Sequence, residues 1–158
     1  MAQENTSSAS ADELDDETYL RRLVAYRNSG INYFASYINV EVTQITVGGA
    51  VGHIDVEQHH FNPIGSIHGG CLFALADTVG GAAACSHRRP CTTMNSTMNY
   101  LNAAIGMKRL TAVATEIKSG RKTSVIRIDL FDDTDKLLAT VTNTYYYLPG
   151  KLELPDTD

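Results

Sequence analysis

The sequence lacks a long apolar run, a cysteine framework and a large excess of one charge, and each absence excludes a class of protein. No apolar stretch approaches the ~18 residues that a membrane-spanning helix needs. The three cysteines, Cys71, Cys85 and Cys91, form neither a CxxC pair nor a Cys/His zinc spacing, so we expect reduced thiols. Residues 1–17 lack the basic and apolar regions of a secretory signal, so we expect a cytoplasmic protein that binds no membrane.

The length and the charge distribution indicate one globular domain between acidic ends. The chain has 158 residues, of which 43% are hydrophobic and 20% charged, as in ordinary globular proteins. Of its 18 acids and 13 bases, six acids lie in residues 1–17, and three acids and one base lie in 151–158. Residues 18–150 therefore hold nine acids and twelve bases. This net charge of about +3 favours an anionic small ligand but is too small to indicate nucleic-acid binding.

The order of patterns along the chain predicts a single α+β domain over residues 15–150. Residues 1–14 are polar and acidic, so we expect a disordered tail, and we expect a flexible tail over 151–158. A helix begins near Asp15, and a second helix lies among β-type segments joined by hairpin turns, which predicts a mainly antiparallel sheet around one buried helix. The predicted strands are 38–45, 50–57, 92–102, 110–118, 123–131 and 137–148.

The central helix is the most informative element. Its apolar residues recur at i, i+3, i+4 and i+7 from Leu72 to Val79, which predicts a helix over about 69–86. Gly69 and Gly70 fall in its first turn, where they weaken the helix. They would also let a ligand approach backbone N–H groups that have no partner within the helix.

Asp77 is unusual in this helix because it is the only Asp, Glu, Lys or Arg between His60 and His87. A carboxylate among apolar side chains has little water around it, which favours a role as nucleophile or general base. The alternative is a structural aspartate that is bonded to a neighbouring hydroxyl group or to a partner subunit.

The spacing of Gly69 and Asp77 has a consequence for assembly. They are eight residues apart, or ~12 Å along a helix, whereas an oxyanion donor and a base must both lie within ~3 Å of one reacting group. If both residues are catalytic, two antiparallel copies of the helix must supply them, so we expect at least a dimer with shared sites.

The pattern Asn-x-x-Gly-x-x-His-Gly-Gly over residues 62–70, followed by Leu75 and Asp77, resembles the motif of hotdog-fold acyl-CoA thioesterases of the PaaI-like type. The resemblance covers about residues 35–148. It implies the hotdog fold, in which an antiparallel sheet wraps around a long central helix. It also implies a homodimer with shared active sites that assembles further as a dimer of dimers, a homotetramer. The implied substrate is acyl-CoA, hydrolysed without a metal or organic cofactor.

The resemblance also implies roles for individual residues. The Gly69 N–H would polarise the thioester carbonyl, and Asp77 of the facing subunit would be nucleophile or general base. Asn62 would help to place the attacking water or the thioester, and Thr93 would assist the water. His68 would order the loop, or it would only cap the helix.

Substrate binding is expected at two further places. Gly70 lies beside the carbonyl donor, and the hairpin turn Ser119-Gly120-Arg121-Lys122 matches the turn that contacts the pantetheine and phosphates of CoA in this family. The alternative for the turn is a solvated surface loop.

Two other functions remain open at this point. The sequence His60-Phe61-Asn62-Pro63 resembles the His-Phe-Pro loop of hotdog-fold dehydratases and hydratases, which act on acyl thioesters. A non-catalytic acyl-CoA-binding module is the second alternative.

Overall fold

The computed structural model describes residues 14–154 of the chain. The predicted tail over 1–14 therefore lies outside the described residues except for Leu14, and so do the last four residues of the predicted C-terminal tail. The first helix, α1, spans Asp16–Asn28. Asp15 caps it, because its carboxylate accepts a 2.9 Å hydrogen bond from the Thr18 N–H.

Six antiparallel strands form one sheet in the order β1-β2-β4-β5-β6-β3. All six correspond to predicted strands, with bounds that differ by at most two residues. The strands are β1 Val40–Thr46, β2 Gly49–Asp55, β3 Cys91–Tyr100, β4 Arg109–Ser119, β5 Thr123–Phe131 and β6 Leu137–Tyr147.

The sheet wraps around one long central helix, which confirms the predicted hotdog architecture. After a second short helix, α2 (Tyr33–Tyr37), this central helix is α3 and spans Gly69–Cys85. The predicted apolar stripe from Leu72 to Val79 is buried against the concave face of the sheet. Burial of this stripe stabilises the fold by ~1.5–3 kcal/mol for each large side chain.

Small residues let the sheet approach α3 closely at two places. A Cβ atom on Gly52 of β2 would lie 2.7 Å from Val79, and a Cβ atom on Gly80 would collide with the Tyr145 hydroxyl group. Gly80 therefore lets Tyr145 of β6 approach the helix closely, next to Asp77.

Three features differ from the sequence-based expectations. The helix α2 and the short 3-10 helix Gln58–His60 were not predicted, because segments of five and three residues hold too little periodic pattern. Residues 151–154 are packed rather than free, since Leu154 is fully buried and Leu152 lies against the core. Two leucines among polar residues are enough to hold this part of the predicted tail on the domain.

Candidate active site

Asp77 lies at a half-exposed position in the middle of α3, at the base of a cleft of about 200 Å³. Thr93 of β3, Tyr145 of β6 and Arg27 of α1 are among the residues that line this cleft. Asp77 is therefore neither buried in the core nor free on the surface, and a small molecule in the cleft could reach its carboxylate.

Three side chains donate hydrogen bonds to one oxygen of this carboxylate, Oδ1 of Asp77. Thr93 Oγ1 donates at 2.7 Å, Asn143 Nδ2 at 3.2 Å and the Tyr145 hydroxyl group at 3.4 Å. The single proton of the Tyr145 hydroxyl group is shared between this oxygen and the nearer Asp77 carbonyl oxygen, at 3.0 Å, and the hydroxyl oxygen accepts from Asn143 at 2.8 Å. Burial, together with the nearby Asp77 charge, raises the pKa of Tyr145 well above its usual value, so Tyr145 stays protonated and remains a donor.

These bonds fix the orientation of the carboxylate and leave Oδ2 without a donor among the described residues. A carboxylate held in this way is oriented before substrate binds, which is what a nucleophile or general base needs.

Gly69 is the first residue of α3 and lies in a separate open cleft of about 310 Å³. No described residue accepts a hydrogen bond from its N–H. The Tyr100 hydroxyl group donates to the Gly69 carbonyl oxygen at 3.0 Å, and a Cβ atom on Gly69 would lie 3.1 Å from that hydroxyl group. Glycine at this position therefore accommodates the tyrosine and keeps one backbone donor available.

His68 caps α3, as one of its two predicted roles requires. Its Nδ1 accepts a 2.9 Å hydrogen bond from the Gly70 N–H, and its carbonyl oxygen accepts from the Cys71 N–H at 2.8 Å. The predicted substrate-binding residue Gly70 thus has its N–H bonded to His68. Of the two glycines in the first turn, Gly69 is the one with a free donor.

Asn62 closes the loop that leads into α3. Its Oδ1 accepts from the backbone N–H groups of Ile64 and Ser66, both at 3.1 Å, and its Nδ2 donates to Ser66 Oγ at 3.0 Å. Asn62 also lines the Gly69 cleft. Its side-chain oxygen accepts two hydrogen bonds from the loop, while its amide group has a second N–H beyond the one that bonds to Ser66.

Within one chain, the predicted site residues fall into two groups that do not meet. Asn62 and Gly69 line one cleft, Asp77 and Thr93 line the other, and the two clefts share no lining residue. Eight residues of helix separate Gly69 from Asp77. We call these groups the Gly69 half-site and the Asp77 half-site.

The predicted CoA-binding turn joins β4 to β5, and Arg89 forms hydrogen bonds to its backbone. The guanidinium group of Arg89 donates to the carbonyl oxygens of Arg121 at 2.7 Å and Gly120 at 3.1 Å, and it stacks 3.6 Å above the Tyr147 ring. The Ser119 hydroxyl group bonds to the Tyr147 hydroxyl group. With the backbone of the turn fixed, the exposed side chains of Arg121 and Lys122 form a small basic surface.

Sequence reasoning missed the roles of Asn143, Tyr145 and Tyr100. Asn143 and Tyr145 are inward-facing residues of β6, two positions apart, and the alternation of that strand is the one signal that could have placed them at the helix. The register that brings Tyr145 opposite Thr93 cannot be read from local sequence.

Residues 14–154 contain neither a candidate membrane-spanning helix nor a candidate cluster of metal ligands. No helix there is long and apolar enough to cross a bilayer. No three side chains of His, Cys, Asp or Glu in the same range come together as ligands for a metal ion.

Comparison with known proteins defines the class of protein to which this fold and site belong. The family model of the thioesterase superfamily matches residues 64–139, which include α3 and Asp77. The 1,4-dihydroxy-2-naphthoyl-CoA hydrolase of Listeria monocytogenes is 30% identical over 104 residues, which cover 64% of this chain and 84% of the hydrolase.

Solved structures agree with this assignment. The Escherichia coli PaaI protein aligns with a TM-score of 0.77 at 24% identity over 83% of this chain and 96% of that one, which establishes the shared fold. A hypothetical thioesterase protein from Streptococcus pneumoniae, solved with coenzyme A, aligns with a TM-score of 0.72 at 25% identity over 78% of this chain and 98% of that one. The chain belongs to the thioesterase superfamily and is a hotdog-fold thioesterase of the PaaI-like type.

Proposed function

We propose that this enzyme hydrolyses acyl-CoA thioesters to the free acid and CoA at a site shared by two subunits. The proposal rests on one observation: the free backbone donor at Gly69 and the oriented carboxylate of Asp77 lie in separate clefts of each chain. In an antiparallel pair of α3 helices, the Gly69 half-site of one subunit faces the Asp77 half-site of the other.

The chemistry follows from the two half-sites. The Gly69 N–H, at the positive end of the α3 dipole, binds the thioester oxygen and stabilises the negative charge that develops there. Asp77 of the facing subunit attacks the carbonyl carbon to form a mixed anhydride that water then hydrolyses, or it takes a proton from a water that attacks. In both routes the C–S bond breaks, and the water supplies the proton for the departing thiolate. Thr93 holds the carboxylate for either step, and Asn62 orders the loop beside the reacting group. CoA leaves as its thiol after it gains a proton.

The edges of the sheet support a dimer. β3 is an edge strand that pairs with β6 on one side only, and its residues Met94 and Tyr100 are 62% and 57% exposed. Pairing β3 with its copy would cover this edge. The exposed apolar side chains Val113 and Ile117 on the outer face of β4 offer a second surface, which supports the dimer of dimers.

CoA recognition is assigned to the turn between β4 and β5. Arg121 and Lys122 are exposed cations on a backbone that Arg89 holds in place, so they can meet phosphate groups with little loss of backbone entropy. The similar Streptococcus pneumoniae protein was solved with coenzyme A, which supports CoA as the ligand.

The hydratase alternative is weakened by the position of its required histidine. His60 is fully buried, its Nδ1 accepts from the Glu57 N–H at 2.9 Å, and its Nε2 bonds to the Ile38 carbonyl oxygen at 3.0 Å. Burial also lowers the pKa of His60, which favours the neutral ring. A histidine with both nitrogens bonded to backbone is a structural residue. The second alternative, a module that binds acyl-CoA without hydrolysing it, would bind acyl-CoA but release no thiol.

Mixed dimers test the shared site. Asp77→Asn keeps the shape but removes the negative charge, and it should lower kcat by ~10²-fold or more. Gly69→Val places a side chain over the backbone donor, and Tyr100, which is exposed, can move aside. Each homodimer should be nearly inactive in an assay for thiol release from acyl-CoA.

Refolding the two variants together in equal amounts should restore activity. Random pairing gives half of the dimers as heterodimers, each with one doubly altered site and one intact site, so about a quarter of wild-type activity is expected. Tyr100→Phe is the matched control for Gly69→Val, because it removes the bond to Gly69 without covering the N–H. If native mass spectrometry detects heterodimers and no activity returns, the site is not shared between subunits. If wild-type protein binds acyl-CoA without releasing thiol, the enzyme assignment itself is wrong.

A further inference from the structure

Two of the three cysteines, Cys85 and Cys91, are in contact with each other beside the Asp77 cleft. Cys85 ends α3 and Cys91 begins β3, and their sulfur atoms are 3.6 Å apart, which is within hydrogen-bonding distance for sulfur. Cys85 is buried, whereas Cys91 is partly exposed and lines the Asp77 cleft. A small molecule such as hydrogen peroxide that enters this cleft meets Cys91 first, and the Cys85 sulfur lies 3.6 Å behind it.

A partly buried arginine, Arg27, distinguishes this pair from two thiols that simply share the core. Arg27 of α1 donates to Cys85 Sγ at 3.0 Å, and the same Nη2 atom lies 3.0 Å from the Gly81 carbonyl oxygen. The hydrogen bond from Cys91 and the charge of Arg27 lower the pKa of Cys85, while the same hydrogen bond raises the pKa of Cys91. These directions, together with the Arg27 contact to Sγ, favour Cys85 as the sulfur that carries the negative charge and Cys91 as its hydrogen-bond donor. In contrast, burial alone raises the pKa of Cys71 to about 11, with no thiol partner.

The geometry points to a modification site: Cys85 and Cys91 form a reversible disulfide when the enzyme meets a hydroperoxide, and the bond lowers turnover at the neighbouring Asp77. A thiolate with an adjacent resolving thiol and an arginine is the arrangement that reacts with peroxides.

The reaction balances with hydrogen peroxide as the oxidant. The Cys85 thiolate attacks one peroxide oxygen, the O–O bond breaks, and hydroxide leaves and takes up a proton, which gives sulfenic acid and one water. Cys91 Sγ then attacks the Cys85 sulfur, the S–O bond breaks, and the leaving hydroxide takes the Cys91 proton as a second water. Two thiols lose two electrons, and one peroxide becomes two waters. A small dithiol reverses the step by thiol–disulfide exchange.

Closing the disulfide changes the Asp77 half-site. The sulfur atoms must move from 3.6 Å to ~2.0 Å, which draws the start of β3 toward α3. Thr93, the donor with the shortest bond to Asp77, is only two residues beyond Cys91. The reaction also removes the anionic partner of Arg27, which itself lines the cleft. Both changes disturb the oriented carboxylate, so the oxidised enzyme should be slower.

The first measurement is independent of the proposed activity. Native wild-type protein is treated with hydrogen peroxide, quenched with an alkylating agent and analysed by intact mass and peptide mapping. We expect the loss of two hydrogens, a Cys85–Cys91 linked peptide and one remaining free thiol, at Cys71. Three alkylated cysteines after treatment, or single cysteines that gain oxygen without a linked peptide, would overturn the proposal.

Variants separate the roles of the three cysteines. Cys91→Ser should stop at the Cys85 sulfenic acid, which dimedone traps. Cys85→Ser should react with peroxide at least ~10-fold more slowly than the wild type, because the thiolate is lost. Cys71→Ala is the matched control and should still form the disulfide at the wild-type rate. Equal reaction rates for all variants would show that the pair has no special reactivity.

The effect on turnover is measured on the same samples. Thiol release by wild-type and Cys71→Ala protein should fall with disulfide formation and return after dithiothreitol, whereas Cys91→Ser should show no dithiothreitol-reversible disulfide inhibition. If the disulfide forms and turnover does not change, the modification site stands and the claim of regulation falls. If there is no turnover before oxidation, the proposed function fails while the mass measurement still decides the disulfide.

Discussion

The two half-sites of this enzyme differ in how their polar groups are used. In the Gly69 half-site, the side chains of Asn62 and His68 bond to the backbone of their own loop and helix, and the Gly69 N–H has no acceptor within residues 14–154. In the Asp77 half-site, three side chains from two strands converge on a single carboxylate oxygen. The first arrangement orders a backbone donor through local contacts, and the second orders an anion through contacts distant in sequence.

This difference explains why neither half-site can act alone. A backbone donor stabilises negative charge but cannot take a proton or attack a carbonyl group, whereas a carboxylate cannot stabilise a developing oxyanion. In the proposed dimer, each subunit would therefore contribute one half to each of two sites. Substitutions are expected to have their largest effect in the Asp77 half-site, a smaller one in the turn between β4 and β5, and the smallest at the cap of α3.

The largest effect is expected in the Asp77 half-site. Thr93→Val removes the 2.7 Å donor to Asp77 and keeps the shape of the side chain. Because Asn143 and Tyr145 still hold the carboxylate, we expect kcat to fall by ~10-fold rather than by the ~10²-fold of Asp77→Asn. Rates of thiol release at saturating acyl-CoA measure the change.

Thr93→Ser is the matched control, since it keeps the hydroxyl group and should retain most of the activity. If the serine variant is as slow as the valine variant, the methyl group of Thr93 matters and the hydrogen bond does not. If neither variant is slower than wild type, Thr93 does not orient Asp77 during the reaction.

A smaller effect is expected at the turn between β4 and β5. Changing Arg121 and Lys122 together to alanine should raise KM for acyl-CoA several-fold with little change in kcat, because phosphate contacts distant from the reacting group contribute uniform binding. A pantetheine thioester without the nucleotide should not be affected. Steady-state kinetics with both substrates measure the difference.

Lys136→Ala is the control for lost positive charge, because Lys136 is exposed in the turn at the opposite end of β5. If Lys136→Ala raises KM as much, the effect comes from the net charge of the molecule. If KM for the pantetheine thioester rises equally, the turn does not read the nucleotide phosphates.

The two half-sites also differ in how far they could be predicted from sequence. The Gly69 half-site lies within residues 62–70, so local spacing and the resemblance together placed the loop, the cap and the donor. Asp77 stood out as a lone charge, but its partners Asn143 and Tyr145 lie more than sixty residues away. Their position depends on strand register and on the close approach at Gly80, neither of which a local pattern contains. The contact between Cys85 and Cys91 was missed for a related reason, since it depends on how α3 turns into β3.

The smallest effect is expected at the cap of α3, where it decides between the two predicted roles of His68. The His68 side chain is exposed and accepts one hydrogen bond, from the Gly70 N–H. If this is its only role, His68→Ala should lower the free energy of unfolding by ~1 kcal/mol and change kcat by less than ~3-fold. His68→Asn should recover the stability, because asparagine is a good N-cap residue. Urea unfolding and thiol release, measured on the same preparations, give both quantities. A large fall in kcat in both variants, with stability restored in His68→Asn, would mean that the imidazole itself takes part in the reaction.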